Sequence, residues 1–162
     1  MVITPGTCCI GIAPLGDPFI DLSIKWGGAT SSGAPCASGT CPSCPMVHSL
    51  RNAPLLGTTL QLGLDLAPVG VPAWCLINVG TCAGSAGTIP PLCGPVLIPT
   101  SAAATLGFQI TTGGGPCTGT TTFLLPLPAN PALAGLPLAS QCIALCPPTG
   151  VTMSNCLSYV LQ

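Results

Sequence analysis

Alternating apolar and polar residues predict β-strands along most of the chain. In residues 60–66 every second residue is leucine, and residues 21–26 alternate polar and apolar in the same way, which is the period of a half-buried strand. Residues 73–79 are apolar on both faces and predict a central strand. Apolar stretches between proline and glycine turns predict further strands at 95–98, 105–111, a threonine-rich segment ending at 127, 138–145 and 151–161.

Proline and glycine exclude long helices from almost all of the chain. The 162 residues include 21 glycines and 20 prolines, and proline removes a backbone donor wherever it stands. One good helix start, Asn130 followed by Pro131, ends about one turn later at Gly135. We therefore predict an all-β fold, an antiparallel β-sandwich of jelly-roll or immunoglobulin-like type over residues 54–162. Residues 1–53 are expected to form a disulfide-rich N-terminal extension with one strand.

The mean hydropathy is high, at +0.75, which raises the question of a membrane span. A spanning helix needs about 20 consecutive apolar residues, and every such window here contains proline, glycine, serine or threonine breakers. We therefore expect no membrane span. Residues 1–15 also lack the basic start of a signal peptide, so the chain is expected to be a mature form or a piece of a longer precursor.

Charge is almost absent from the sequence. The formally charged side chains are Asp17, Asp21, Lys25, Arg51 and Asp65, and none follows residue 65. Two basic residues cannot neutralise a phosphate backbone, so we expect no nucleic-acid partner. A net charge near zero favours association between proteins, which suggests a surface that packs against other surfaces.

Twelve cysteines indicate a disulfide framework. Their flanks lack the charged groups that activate catalytic thiols, and their number is even, so an oxidising, extracytoplasmic setting is expected. The pairing cannot be deduced from the sequence, and bridges within or between subunits both remain open. The predicted disulfide residues are Cys8, Cys9, Cys36, Cys41, Cys44, Cys75, Cys82, Cys93, Cys117, Cys142, Cys146 and Cys156.

Two metal-binding arrangements compete with disulfides. Cys36, Cys41 and Cys44 followed by His48 have a spacing able to hold Zn²⁺, and the same three cysteines with Cys75 have the spacing of a [2Fe–2S] ligand set. Nine further thiols argue against zinc, and the scarcity of acidic residues argues against the cluster. We therefore expect no metal and no cofactor.

Few residues are available for catalysis. A Ser–His–Asp arrangement would have to use His48 with Asp65 or Asp21, and no nucleophile-elbow motif is present. Paired carboxylates could come only from aspartates, because the chain contains no glutamate. Asp17 and Asp21 are too few for tight Ca²⁺ binding. The sequence predicts no enzyme, with no catalytic residues, and His48 is expected in a loop.

Carbohydrate is the remaining ligand class. Trp26, Trp74 and Tyr159 could form a sugar-stacking platform, although scattered aromatics are more typical of core anchors. Threonine-rich segments at 100–105 and 118–122 offer hydroxyls for O-glycosylation, so an attached glycan remains an open expectation.

A family resemblance covers roughly residues 54–162. The stretch LPLPANPALAGL at 125–136, with LASQ at 138–141, resembles the uncharged C-terminal β-sandwich modules of planctomycete-type bacterial secreted proteins. Further matching segments are GTTL at 57–60, PAW at 72–74, LGF at 106–108 and SNCL at 154–157. The resemblance implies an extracellular sandwich without catalytic residues. In larger relatives such a module is an appendage, whereas here it would act by itself.

These observations together predict a non-enzymatic structural subunit, extracellular or on the cell surface, whose partners are other copies of itself. The expected product is a filament or surface layer. The alternative is a monomeric carbohydrate-binding or adhesion module. Strand addition to a neighbouring sheet is expected from the alternating segment. Its residues are Asp21, Leu22, Ser23, Ile24, Lys25 and Trp26.

Overall fold

A computed structural model describes residues 28–83, 92–99 and 103–162, together with the backbone pairing of short strands at 2–3, 8–9 and 86–88. The fold is all-β and antiparallel, as predicted. The strands are β1 Val2–Ile3, β2 Cys8–Cys9, β3 Thr30–Ser32, β4 Cys36–Ser38, β5 Val47–Leu50, β6 Thr59–Ala67, β7 Pro72–Val79, β8 Ala86–Thr88, β9 Pro95–Val96, β10 Ala104–Ile110, β11 Gly119–Pro126, β12 Pro137–Cys146 and β13 Gly150–Val160.

A six-stranded sheet is the centre of the molecule. Its order is β10-β7-β12-β13, and β3 and β4 both pair with the far edge of β13. The predicted central strand lies inside this sheet as β7, between β10 and β12. Strand β12 is buried on both faces, and β7 is buried on one face and half-buried on the other, which explains why both are apolar at nearly every position.

A three-stranded sheet, ordered β11-β6-β5, packs on one face of the larger sheet. The alternation of β6 puts Leu60, Leu62 and Leu64 at 0% exposure in the core between the sheets, together with Phe123 from β11. Leu66 breaks the pattern, because its backbone has a positive φ and its side chain is 43% exposed. The register of β11 against β6 shifts close to this point.

A second apolar core lies on the other face of the six-stranded sheet. Val96 and Ile98 cover Ala139 and Ile143 of β12 and Met153 of β13. Strand β12 therefore separates two cores, which is why residues 138–144 are buried without interruption. In β13 the alternation is broken by a bulge, because Ser154 and Asn155 lie between the partners of Gln141 and Ile143.

Within the described residues four disulfides link the strands and loops: Cys36–Cys93, Cys41–Cys146, Cys44–Cys117 and Cys82–Cys156. Three of them join residues 36–44 to residues beyond 90. Strands β3, β4 and β5 also pair with β13 and β6. Residues 28–53, the described part of the expected N-terminal extension, thus contribute strands to both sheets of the sandwich.

Most predicted elements are confirmed within a few residues. Asn130 caps a short 3₁₀ helix, Pro131–Leu133, by accepting a hydrogen bond from the backbone of Ala132. The predicted assembly strand, residues 21–26, lies outside the described residues. Among the described residues, we find no helix with the length and apolar character that a membrane crossing requires.

Candidate functional site

A polar cluster lies buried between the two sheets. His48 of β5 meets Cys75 of β7 and Cys142 of β12, and all three side chains are fully or almost fully buried. Each residue offers one atom that could bind a metal, a ring nitrogen or an Sγ, and these three atoms lie within 4.8 Å of one another. Ser140 and Tyr159, from β12 and β13, lie beside them. The cluster therefore joins the three-stranded sheet to the six-stranded sheet.

Strand register brings these residues together. Cys75 and Cys142 are directly opposite each other in the antiparallel pair β7 and β12. Ser140 stands two residues before Cys142 and therefore points to the same face. His48 pairs with Leu64 on β6, so its side chain enters the same core from the opposite sheet.

Hydrogen bonds orient the imidazole of His48. Its Nδ1 lies 2.9 Å from the carbonyl oxygen of Gly63, and its Nε2 lies 2.8 Å from Oγ of Ser140. A carbonyl can only accept, so Nδ1 carries a hydrogen. In the neutral ring the lone pair is therefore on Nε2, which lies 3.8 Å from Sγ of Cys75. Sγ of Cys142 lies 3.4 Å from Nδ1.

The bulge of β13 fixes the strand that carries His48. The side-chain amide of Asn155 accepts a hydrogen bond from the backbone N–H of His48 at 2.7 Å and donates to its carbonyl at 3.1 Å. The same amide donates to Oγ of Ser31. Its neighbour Ser154 accepts a hydrogen bond from the backbone N–H of Cys142. The two bulge residues thus hold both sides of the cluster.

The pKa values of the two thiols in the cluster shift in opposite directions. Burial raises the pKa of Cys75, but a hydrogen bond from Cys142 and the charge of His48 outweigh burial and lower that pKa to about 6. Burial lowers the pKa of His48, whereas the Cys75 thiolate and the Gly63 carbonyl raise it by more. Burial and the adjacent thiolate raise the pKa of Cys142 well above that of an ordinary thiol. Cys75 is therefore the more acidic of the two thiols.

Tyr159 adds an unsatisfied group to this site. Its side chain is 1% exposed, and among the described residues its hydroxyl has no hydrogen-bond partner. Burial raises the pKa of this phenol, and the neighbouring groups that influence it are Ser140, Cys75 and Cys142. A buried hydroxyl without a partner costs about 1–3 kcal/mol, so the site has an unused donor.

The donor set defines what the cluster can do. Two sulfurs and one imidazole nitrogen form a ligand set for soft or borderline metal ions. The same two cysteines could also pair as a cross-strand disulfide. Attack on an external substrate is disfavoured, because His48 is 1% exposed and both thiols are 0% exposed.

The structure corrects several expectations about cysteine and histidine. Eight predicted disulfide cysteines form the four bridges, but Cys75 and Cys142 are free thiols. Cys8 and Cys9 lie in a short strand whose side chains are outside the described part of the chain. The zinc and iron–sulfur ligand sets considered from the sequence do not form, because Cys36, Cys41 and Cys44 belong to three different disulfides.

His48 itself is a second correction, because it lies in a buried strand and not in a loop. Its only sequence signal is its place between Met46 and Leu50, which share its inward face. Asp65, considered as its catalytic partner, instead forms an exposed ion pair with Arg51 and accepts a hydrogen bond from Thr120.

The outer surface presents an unpaired sheet edge. Within the described part of the chain, β10 pairs with β7 on one side and has no partner strand on the other, and an isolated bridge joins Thr112, just past its end, to Thr120 of β11. Phe108 of β10 is 62% exposed and its ring lies 6.4 Å from that of Trp74 on β7. These two rings line an open groove of about 570 Å³, and its other lining residues are Pro72, Thr105, Gly107 and Leu145.

The predicted aromatic platform is not assembled as a unit. Trp74 borders the groove, whereas Tyr159 is buried in the core on the other side of the sheet. Trp26 lies outside the described residues. Phe108, which the sequence analysis did not single out, supplies the second ring of the groove.

No family model, curated protein or solved structure matches this chain. The resemblance to planctomycete-type secreted modules therefore stays a prediction.

Proposed function

We propose that this protein is a non-enzymatic, secreted structural subunit that assembles with copies of itself into an extracellular filament or layer. The contact is strand addition: residues 21–26 of one subunit pair with the open edge of β10 in the next. The main observation that supports this contact is the exposed edge of β10 with its apolar groove. A head-to-tail contact whose rotation does not close into a ring produces an open polymer.

The alternating pattern of residues 21–26 suits this edge. An added strand is held by backbone hydrogen bonds, and alternate side chains enter pockets on one face. Leu22, Ile24 and Trp26 would meet the groove beside Phe108, and the polar residues between them would face solvent. The side chains of the added strand that face the groove and the groove itself are therefore both apolar.

The scarcity of charge supports assembly as well. Arg51 and Asp65 are the formally charged side chains within the described residues, and they pair with each other. Packing such a surface against a neighbour removes almost no ionic group from water, so the desolvation penalty of buried charges does not arise. The four disulfides make each subunit a stable unit for an extracellular setting.

Imaging of non-reduced protein tests the proposal. We expect negative-stain micrographs of the wild type to show filaments or sheets. Phe108→Asp places a charge in the groove and should abolish them. Leu124→Asp is the matched control, because Leu124 is 60% exposed on β11 of the other sheet.

The possible results of these experiments distinguish the structural role from the proposed contact. Assembly retained by Leu124→Asp and lost in Phe108→Asp and Ile24→Asp supports strand addition at β10. A wild-type protein that remains a monomer at high concentration in sizing experiments would refute the structural role. Polymers that survive both Phe108→Asp and Ile24→Asp would refute the contact.

A carbohydrate-binding or adhesion module is the second candidate, favoured by the pair of rings of Trp74 and Phe108. Such rings stack on the apolar faces of sugars. This function requires a monomer in physiological buffer and binding on a glycan array that Trp74→Ala removes. Thr105 supplies the groove's single side-chain hydroxyl among its lining residues, so the groove has few polar groups to orient a sugar.

A further inference from the structure

We propose that His48, Cys75 and Cys142 bind one divalent, thiophilic metal ion between the two sheets, with Zn²⁺ as the physiological type. This metal would be structural, because the site is closed to solvent. The inference is independent of the assembly proposal, since it concerns the interior of one subunit.

The arrangement of the donors carries the inference. In a tetrahedral zinc site, with bonds of about 2.1 Å to nitrogen and 2.3 Å to sulfur, the nitrogen and sulfur ligands stand about 3.6 Å apart. Nε2 of His48 and Sγ of Cys75 are 3.8 Å apart. Sγ of Cys142 belongs to the same cluster but lies 3.4 Å from Nδ1, so it would move toward Nε2 when an ion binds. The ligands come from three strands and both sheets, so the backbone fixes them before any ion binds.

The outer contacts of His48 have the form expected for a metal ligand. Metal-binding histidines almost always donate their second ring N–H to a carboxylate, a carbonyl or water, which fixes the tautomer. Nδ1 of His48 has such an acceptor in the carbonyl of Gly63, at 2.9 Å. The lone pair of Nε2 then faces Oγ of Ser140 at 2.8 Å and Sγ of Cys75 at 3.8 Å, so a bound ion would take the place of the hydrogen bond from Ser140.

Tyr159 provides a second, independent observation. Its hydroxyl is buried beside the thiols and Ser140, and among the described residues it makes no hydrogen bond of good geometry. Thiolates bound to a metal remain hydrogen-bond acceptors. Occupation of the site would therefore satisfy a donor that is otherwise left unused.

Charge balance selects a divalent ion. Two thiolates and one neutral imidazole carry a charge of −2, so a divalent ion gives a neutral complex, whereas Cu⁺ would leave a net negative charge. Neutrality matters because an uncompensated charge in a dry core is strongly disfavoured. Binding releases the protons of the ligand atoms to solvent. Because the cluster is fully buried, the ion enters during folding.

The test uses the full chain, folded and purified in the presence of Zn²⁺ without reductant or chelator. We expect about one zinc per chain by elemental analysis. Cys75 and Cys142 should be alkylated only after denaturation with a chelator, while the four disulfides stay intact. Replacement of zinc by Co²⁺ should give thiolate-to-metal charge-transfer absorption.

Variants separate the ligands from their neighbours. Cys75→Ser and Cys142→Ser should each lower the zinc content to about a tenth or less. Tyr159→Phe and Ser140→Ala leave all three ligands in place and should weaken binding by about 10- to 100-fold, the range for changes around a metal site. If the cysteine variants do not fold, the wild type decides: chelator should lower its unfolding temperature, and zinc should restore it.

Three results would overturn the proposal. A Cys75–Cys142 disulfide in the zinc-folded protein would show that the pair is a fifth bridge. Two free thiols without metal would show a buried hydrogen-bonded cluster and nothing more. Stoichiometric copper in place of zinc would contradict the assignment of a divalent ion.

Discussion

The two edges of the six-stranded sheet are built in opposite ways. At one edge, β13 is covered by β3 and β4, two strands of three residues each, and disulfides anchor β4 and the loop after it to Cys93 and Cys146. At the other edge, β10 is seven residues long and exposes Phe108 and Ile110, and no described strand covers it.

The difference shows which edge is protected from pairing. Natural proteins block edge strands by making them short, by covering them, by adding charge or proline, or by a β-bulge that twists the edge away. The covered edge uses the first two devices. The open edge has only a bulge, at Gly107, and its residues include no charge and no proline. A long, uncharged edge in a disulfide-bonded domain is the feature expected of a strand-addition site.

Removal of the disulfide at the covered edge should have the largest effect on stability. In Cys36→Ala/Cys93→Ala the lost bridge spans 57 residues, and the chain-entropy relation gives a loss of about 4 kcal/mol in the free energy of unfolding. Urea denaturation measures this loss. Gln109→Ala on the open edge should change stability by about 0.5 kcal/mol or less. Equal losses of unfolding free energy in the two variants would contradict the claim that the covered edge contributes more to stability than the open edge.

Asn155→Ala should have the next largest effect, because Asn155 links the covered edge to β5. The variant leaves the buried N–H and carbonyl of His48 without these partners, at a cost of about 3 kcal/mol in the free energy of unfolding. The side-chain amide of Asn52 likewise accepts a hydrogen bond from the backbone N–H of Gln61 and donates one to the carbonyl of Thr59, but at the surface. Water can replace its bonds, so Asn52→Ala should cost about 1 kcal/mol or less by the same denaturation measurement. A reversed order would refute the linking role.

Gly107→Val tests the bulge of the open edge. The φ of Gly107 is +44°, which a β-branched residue adopts only with strain of about 1–2 kcal/mol. No atom lies within 4 Å of an added Cβ, so the cost is in the backbone alone. Gly114→Ala, also in open space but without a positive φ, should be neutral within about 0.5 kcal/mol by thermal unfolding.

Salt should have the smallest effect. The described residues contain one formal ion pair, and at 1 M salt the screening length falls to about 3 Å. If the open edge binds through apolar side chains and backbone hydrogen bonds, turbidity and micrographs should be the same at low and at 1 M salt. Dispersal of the polymer by 1 M salt would indicate an ionic contact.

Local patterns in the sequence predicted the strands well. The leucines of β6 and the apolar run of β7 show their burial directly, because each reflects the period of a single strand. The cap at Asn130 is equally local. Such features depend on residues within one element and so can be read without knowledge of the fold.

The buried cluster could not be predicted in this way. His48 and Cys142 are 94 residues apart, and their contact depends on the packing of two sheets. Twelve cysteines also made every thiol look equivalent in the sequence. One partial signal was present: Cys75 and Cys142 lie inside predicted strands, whereas Cys41, Cys82 and Cys93 lie in loops. Cys156 is the exception, because it lies in a strand and is bridged to Cys82.

Hydrogen exchange of the β10 amides tests the central claim most directly. The account predicts that residues 104–110 exchange more slowly in the polymer than in the dissociated Phe108→Asp subunit, because their free backbone groups pair with an added strand. Amides of β3 and β4 should exchange at similar rates in both samples. Polymers in which residues 104–110 exchange as fast as in the dissociated subunit would contradict the account.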